Sequence, residues 1–266
     1  MIDLEKGYCH ICQKYTDLSF EHIPPHKAFN FMSAKVLEGD QVLKLITDNK
    51  RLPWQTDGLK YTSRQKGVGK YSLCKSCNNL TGKYYGTEYI KFAITIHKFF
   101  PEIKSKMELN NSSIAYFNIN GINPLLFAKQ ILSMFCSTCE HITKNDPNII
   151  SLLLNKNKKG LDSKKYRLSM FLIDKYRIGY TGFQIMFIEG IGSIQLASID
   201  AYPFGFVLEF DPRSDIKNRE LDITSFFNDY DCKEYNLNFG IPVLERNSLF
   251  SCDYRSKNEI SKCKEE

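Results

Sequence analysis

Two cysteine pairs in this chain have the spacing of a metal site: Cys9-His10-Ile11-Cys12 and Cys74-Lys75-Ser76-Cys77. Each C-x-x-C makes a tight knuckle with both thiolates aimed at one point. Four thiolates complete the tetrahedral shell of a structural zinc ion. A closed shell leaves no open position, so such an ion holds shape and does not react. Groups able to react stand beside the knuckles. Glu21-His22 comes shortly after the first pair, and Asn78-Asn79 follows the second at once.

The elements that must position these groups can be read from pattern. Thr16 to Phe20 suits a strand that closes a hairpin with the first knuckle, and Pro24-Pro25 forbids helix beyond it. Lys27 to Ile46 reads as part helix, then a strand over Gln41 to Ile46. From Thr47 to Lys70 the chain is polar and basic, with Lys50, Arg51, Lys60, Arg64, Lys66 and Lys70 around Trp54. Basic residues interleaved with an aromatic suit a phosphate backbone, and an exposed loop with Trp54 packed on the fold suits them equally. Tyr71 to Leu73 feeds the second knuckle as a strand. Beyond it, Tyr85, Tyr89, Phe92, Ile96 and Phe99 recur at helical spacing, with Lys83, Lys91 and Lys98 interspersed. Asn78 and Asn79 open this helix, where Asn79 reads as a cap, and Pro101 ends it. Gly82 and Gly86 would allow a close approach of backbone or phosphate.

A polar connection over 104–113 marks the expected boundary between a unit at 1–103, carrying an insert at 31–70, and a second unit at 114–266. Ile114 to Ile119 reads as a strand. Asn123-Pro124 then starts the clearest helix, with Asn as N-cap and Pro first. Ala128, Ile131, Leu132, Phe135, Cys139 and Ile142 mark its apolar face. Cys136 and Cys139 form a third C-x-x-C beside His141; on an apolar helix they read as core thiols, with a second metal site or redox pair as the lesser alternative. A surface helix and loop over Asn145 to Lys165 precede five strands: Arg167–Ile173, Arg177–Gly182, Phe183–Glu189, Ser193–Tyr202 and Phe204–Phe210. Cys232, Cys252 and Cys263 read as free thiols, and Arg255 to Glu266 as a frayed tail. The fold class is α+β: a small zinc unit followed by a mixed helix and antiparallel-sheet unit.

Composition narrows the function classes. The chain of 266 residues is 42% hydrophobic and 25% charged, as in ordinary globular proteins. No apolar run approaches the ~20 residues of a membrane span, and no apolar stretch follows the charged N-terminus as in a secretory signal. The expected location is cytoplasmic, where paired C-x-x-C spacing points to metal rather than disulfides. A net charge of +6 is compatible with a polyanionic partner and does not require one.

The order C-x-x-C, acidic-His, C-x-x-C-Asn resembles the HNH endonuclease superfamily in its four-cysteine ββα-metal (treble-clef) form. The resemblance covers roughly the first hundred residues. It implies zinc at Cys9, Cys12, Cys74 and Cys77, His22 as general base, and Glu21 with Asn78 holding a catalytic Mg²⁺ or Mn²⁺. It also implies hydrolysis of phosphodiester bonds in nucleic acid, chiefly DNA, with Lys66, Lys70, Lys83 and Lys91 against the backbone. The family's middle Asn, which braces the loop facing the histidine, has no clear match; Gln65 and Asn49 are stand-ins. Restriction and phage-defence effectors are similar, and the C-terminal part would choose a target, sense a signal, form a homo-oligomer or meet a defence-system partner. Among the other histidines, His10 is expected exposed, His26 against a phosphate and His97 on a helix surface. The competing expectation is a non-catalytic zinc-knuckle module that binds nucleic acid or protein, because fold does not fix function.

Overall fold

The computed structural model describes residues 5–48, 51–110, 113–190, 192–214, 219–228 and 236–263. Asn49, Lys50 and Cys232 fall outside them. The first knuckle is the turn between β1 (Lys6–Tyr8) and β2 (Tyr15–His22). An excursion follows through β3 (Ala34–Val36), α1 (Gly39–Thr47) and β4 (Thr62–Arg64). β5 (Gly69–Cys74) returns beside β2, giving an antiparallel sheet in the order β1-β2-β5. α2 (Lys75–Thr81) starts at once, then a π turn (Gly82–Gly86) and α3 (Thr87–Leu109).

The chain continues through β6 (Ile114–Asn120), α4 (Pro124–Thr138), α5 (His141–Asn145) and α6 (Pro147–Leu154). β7 (Tyr166–Leu172), β8 (Ile178–Ile188), β9 (Gly192–Ala201) and β10 (Phe204–Phe210) follow, then the short β11 (Leu221–Asp222). They form an antiparallel sheet in the order β11-β7-β10-β9-β8. A 3₁₀ turn (Thr224–Phe227), β12 (Asn236–Pro242) paired with β6, and α7 (Lys257–Lys262) complete the chain. The fold is therefore α+β with antiparallel sheets. Among the described residues, no helix is long and apolar enough to cross a membrane.

α4 lies at the centre. Asn123 caps it, accepting from the Leu126 amide at 3.1 Å, and Pro124 opens it. Its apolar residues were expected on one face, yet Phe127 through Ser137 are buried all round. A helix with no polar face belongs inside a fold, and α4 touches α3, the π turn, β5, β8, β9 and the 3₁₀ turn. Cys136 and Cys139 are buried on it as core thiols. One hydrophobic cluster runs from Cys9 in the first knuckle to Ile241 in β12.

Several local expectations are corrected. Gln41 to Ile46 is helix, within α1. Pro101 sits inside α3, which runs on to Leu109. The core stripe of α3 passes through Phe100, which is buried, and not Phe99, which is 47% exposed; a four-residue step from Ile96 keeps to the 3.6-residue turn. The two strands expected at 177–189 are one, β8, with an irregularity between Thr181 and Gln184. The tail is not frayed over α7: Ser256 and Glu259 form a capping box and Ile260 is buried.

The buried face of α4 includes a charge. Lys129 is fully buried, and its Nζ donates to the carbonyls of Asn155 at 2.7 Å and Lys156 at 3.1 Å. Burial pushes its pKa down to about 8. Between that value and the unfolded one near ~10.4, the unfolded chain binds more protons, so this lysine's contribution to stability rises with pH. It is lost as pH falls through about 8. Urea denaturation of the parent and Lys129→Met should therefore show the stability difference shifting toward the parent between about pH 7 and about pH 9.5. A difference that stays flat with pH would show that Lys129 titrates normally.

Candidate metal centre and the adjoining strand end

The four cysteines predicted as ligands are brought together. Cys9, Cys12, Cys74 and Cys77 place their sulfurs all within 4.8 Å of one another, with Cys12 Sγ and Cys74 Sγ 3.9 Å apart. Zinc at ~2.3 Å from each sulfur requires edges of about 3.8 Å, so the group fits such a metal with little adjustment. Among the described residues it is the one group of this kind. The thiols are crowded enough to disturb each other's protons. A hydrogen bond from Cys77 holds Cys9 well below the usual thiol range, and Cys77 itself is pushed far up. Four thiolates in that space need a cation between them.

Local structure explains the convergence. Gln13 adopts the left-handed region (φ 58°) and its amide donates to the Cys9 carbonyl at 2.8 Å, which closes the first knuckle. The second knuckle is the first turn of α2, with Cys74 at the N-cap position. That start precedes the asparagines, so Asn78 and Asn79 lie inside the helix and neither caps it. The first knuckle is also docked on the end of α4. His10 Nδ1 lies 3.1 Å from the carbonyls of both Cys136 and Ser137, and Gln13 Nε2 donates to Thr143 Oγ1 at 2.7 Å. His10 was expected exposed; it is half-buried in this joint.

Glu21 and His22 are the last two residues of β2. Glu21 is 7% exposed, and its carboxylate has no hydrogen-bond or ion-pair partner among the described residues. Burial raises its pKa to about 8. The other buried charged side chains are all satisfied. Lys129 meets carbonyls, Asp146 meets Lys165 and the Asn148 amide, Asp200 meets Arg177 and Arg246, and Glu209 meets Arg167. Glu21 alone among them is an orphan, the kind of carboxylate that a bound cation would compensate.

Asn78 projects from α2 against the same strand. Its Nδ2 donates to Ser19 Oγ at 3.0 Å and to the Phe20 carbonyl at 3.1 Å, while Oδ1 has no partner among the described residues. The structure thus brings Asn78 to the peptide next to Glu21, with an amide oxygen to spare. Oxygen donors of this kind fit a hard divalent ion.

His22 turns to the other side of the strand, as alternation requires. Its ring meets Phe20 edge-on at 5.0 Å and His26 at 5.0 Å. Nε2 lies 3.0 Å from the Lys66 carbonyl. A carbonyl only accepts, so Nε2 carries the proton and Nδ1 keeps its lone pair. Burial lowers the pKa of this imidazole, opposed by the Lys66 bond, so the neutral form is favoured.

The residue that holds this loop was missed in the sequence. Asn30 is fully buried and donates from Nδ2 to the carbonyls of Pro24 and Val68, each at 2.7 Å. Its Oδ1 accepts from the Val68 amide, also at 2.7 Å. Gln65, a stand-in for such bracing in the sequence, is exposed. The usable signal was Gly67-Val68-Gly69. A Cβ on Gly67 (φ +90°) would lie 2.0 Å from the Asn30 carbonyl oxygen, and one on Gly69 2.0 Å from that of Glu21.

The predicted lysines divide. Lys66 supplies the carbonyl for His22, and Lys70 faces Glu21 in the β2–β5 register. Lys83 and Lys91 are exposed further along the helical arm, where Lys91 Nζ is taken up by the Gly121 carbonyl. Trp54 lies under Lys257 Nζ of α7, 5.1 Å from the ring centre, so it packs on the fold. His26 is exposed, as is His97, whose Nδ1 lies 2.8 Å from the Tyr202 hydroxyl. The chain matches no protein-family profile, no curated protein and no solved structure.

Two measurements check this geometry. Cys74→Ser should abolish stoichiometric zinc in metal analysis and lower the melting temperature, because metal affinity at such a site is folding energy. Full zinc content in that variant would remove Cys74 from the shell. Asn30→Ala should cost about 1–3 kcal/mol and speed hydrogen exchange at the Val68 amide selectively. Unchanged exchange there would show that the loop is held by something else.

Proposed function

We propose that the chain is a metal-dependent endonuclease of the HNH type, built on a zinc-held treble-clef unit and hydrolysing phosphodiester bonds of nucleic acid. The observation that carries this reading is the orphaned carboxyl of Glu21, buried one residue before an imidazole whose Nε2 is held on the Lys66 carbonyl. The zinc-binding cysteines hold shape: they tie the strand ending at His22 to the helix carrying Asn78. Glu21 and Asn78 Oδ1 would hold one hard divalent ion, Mg²⁺ or Mn²⁺. Such an ion, when bound, supplies positive charge to the scissile phosphate and the departing 3′-oxygen.

The remaining work belongs to the chain's own groups. Glu21 and His22 face opposite sides of β2, so a phosphodiester would have to pass around the strand's end at His22 to meet both. His22 Nδ1 accepts a proton from the attacking water, and the Lys66 carbonyl stabilises the imidazolium that forms. Asn30 keeps that carbonyl in place through Val68, two residues on. The water oxygen bonds to phosphorus as the P–O3′ bond breaks, and the departing 3′-oxygen takes a proton from solvent, leaving a 5′-phosphate and a 3′-hydroxyl.

The test is cleavage of single- and double-stranded DNA and RNA with Mg²⁺ or Mn²⁺. His22→Ala and Glu21→Gln should each lose roughly 10²- to 10⁴-fold in rate while keeping their zinc. Cleavage undiminished in His22→Ala would take the histidine out of the chemistry. A parent that binds nucleic acid and cuts none of the panel would point to a non-catalytic zinc-knuckle module.

A further inference from the structure

Five rings form a continuous line through the end of β2. Tyr71 meets Phe20 edge-on at 5.4 Å, Phe20 meets His22 at 5.0 Å, His22 meets His26 at 5.0 Å, and His26 meets Phe31 at 6.2 Å. Both ends of the line are open to solvent, Tyr71 at 45% and Phe31 at 53% exposure. His22 stands at the middle, two rings from either end. Two lysines border the line in sequence, Lys27 after His26 and Lys66, whose carbonyl holds His22, while Lys70 faces Glu21 in the β2–β5 register. The nearest acid in the strand, Glu21, projects to the opposite side and is buried.

We propose that this line is a stacking platform for unpaired nucleotides, and that the substrate is single-stranded nucleic acid or a locally unpaired segment. The placement of the cut at His22 rests on the endonuclease reading; the affinity of the rings for unpaired bases does not. An aromatic side chain binds a base through the base's flat face. In a duplex those faces are covered by neighbouring pairs, and the protein meets phosphates and groove edges instead. Exposed rings on both sides of the candidate base therefore favour a strand whose bases are free. A phosphate at His22 would have one flanking base against Tyr71 and the other against Phe31, with lysine ammonium groups along the backbone.

Fluorescence anisotropy tests this with the zinc-loaded protein, EDTA-free buffer without Mg²⁺, and a labelled mixed-sequence oligonucleotide presented single-stranded or as its duplex. The single strand should bind about tenfold more tightly or better. Tyr71→Ala and Phe31→Ala should each weaken single-strand binding by about tenfold and leave duplex binding unchanged. Tyr116→Ala, at a remote ring that is 78% exposed, should alter neither. Equal or tighter duplex binding, or full single-strand binding in both ring variants, would overturn the platform. The outcomes separate from those of the cleavage test: loss of the preference with His22-dependent cutting intact sinks the platform alone. Single-strand preference without His22-dependent cutting sinks the nuclease alone.

Discussion

The first turn after β1 and the start of α2 converge on four sulfurs that meet across a long stretch of chain. The turn after β1 and the first turn of α2 are each closed locally, but nothing local brings one to the other. A metal shared by Cys9, Cys12, Cys74 and Cys77 would do so, and the sulfur geometry suits it. Without a cation, the cysteines compete for protons, with Cys9 driven toward thiolate and Cys77 toward thiol. With one, all four can be thiolates. That difference in charge is what would fix the β2–β5 register and the direction in which α2 leaves β5. The positions of Glu21 and Asn78 follow from those two features.

The sulfur cluster is not isolated from the rest of the chain. His10 and Gln13 tie the first knuckle to the end of α4 and to Thr143. The C-terminal sheet reaches the strand-end loop from the other direction. Tyr176 donates to the Phe29 carbonyl at 3.1 Å, and the Phe29 ring packs on His97 and Tyr202. Phe29 is held at φ +66°, a region that costs free energy for a residue with a side chain. Contacts from α3 and the sheet thus hold the residue immediately before Asn30. A change in the sheet has a short physical route to the loop facing His22.

Legibility in the sequence tracked the range of the interactions. The knuckles, the Asn123-Pro124 helix start and the β-rich C-terminal half are local signals, and they placed their elements. Asn30 was invisible because its partners lie 6 and 38 residues away and its own neighbours say nothing about them. α4 reads as one-sided because Lys129, Gln130, Ser133 and Ser137 look like a solvent face, and only the surrounding elements bury them. Gln41 to Ile46 carries strand-like residues, yet it forms a short helix with Gln41 Oε1 accepting from the Lys60 amide. Pro101 stops no helix because only one backbone bond is lost and Phe100 and Ile103 still pack against the core.

The same contrast separates structural charges from the candidate functional one. Asp200 is nearly inaccessible, yet two arginines meet it, at 2.7 Å from Arg177 and 3.0 Å from Arg246. Glu209 takes a two-point contact from Arg167. These pairs offset much of the cost of burying charge. Among the described residues Lys129 has no counter-ion, and it is held by two carbonyls at the end of α6. Glu21 has neither remedy among those residues, and it sits just past an irregularity in the β2–β5 ladder between Ser19 and Phe20. Among the described residues it is the buried acid that the fold leaves without a partner, and burial, which raises its pKa to about 8, keeps its carboxyl protonated at neutral pH where Asp200 and Glu209 are ion-paired with their arginines.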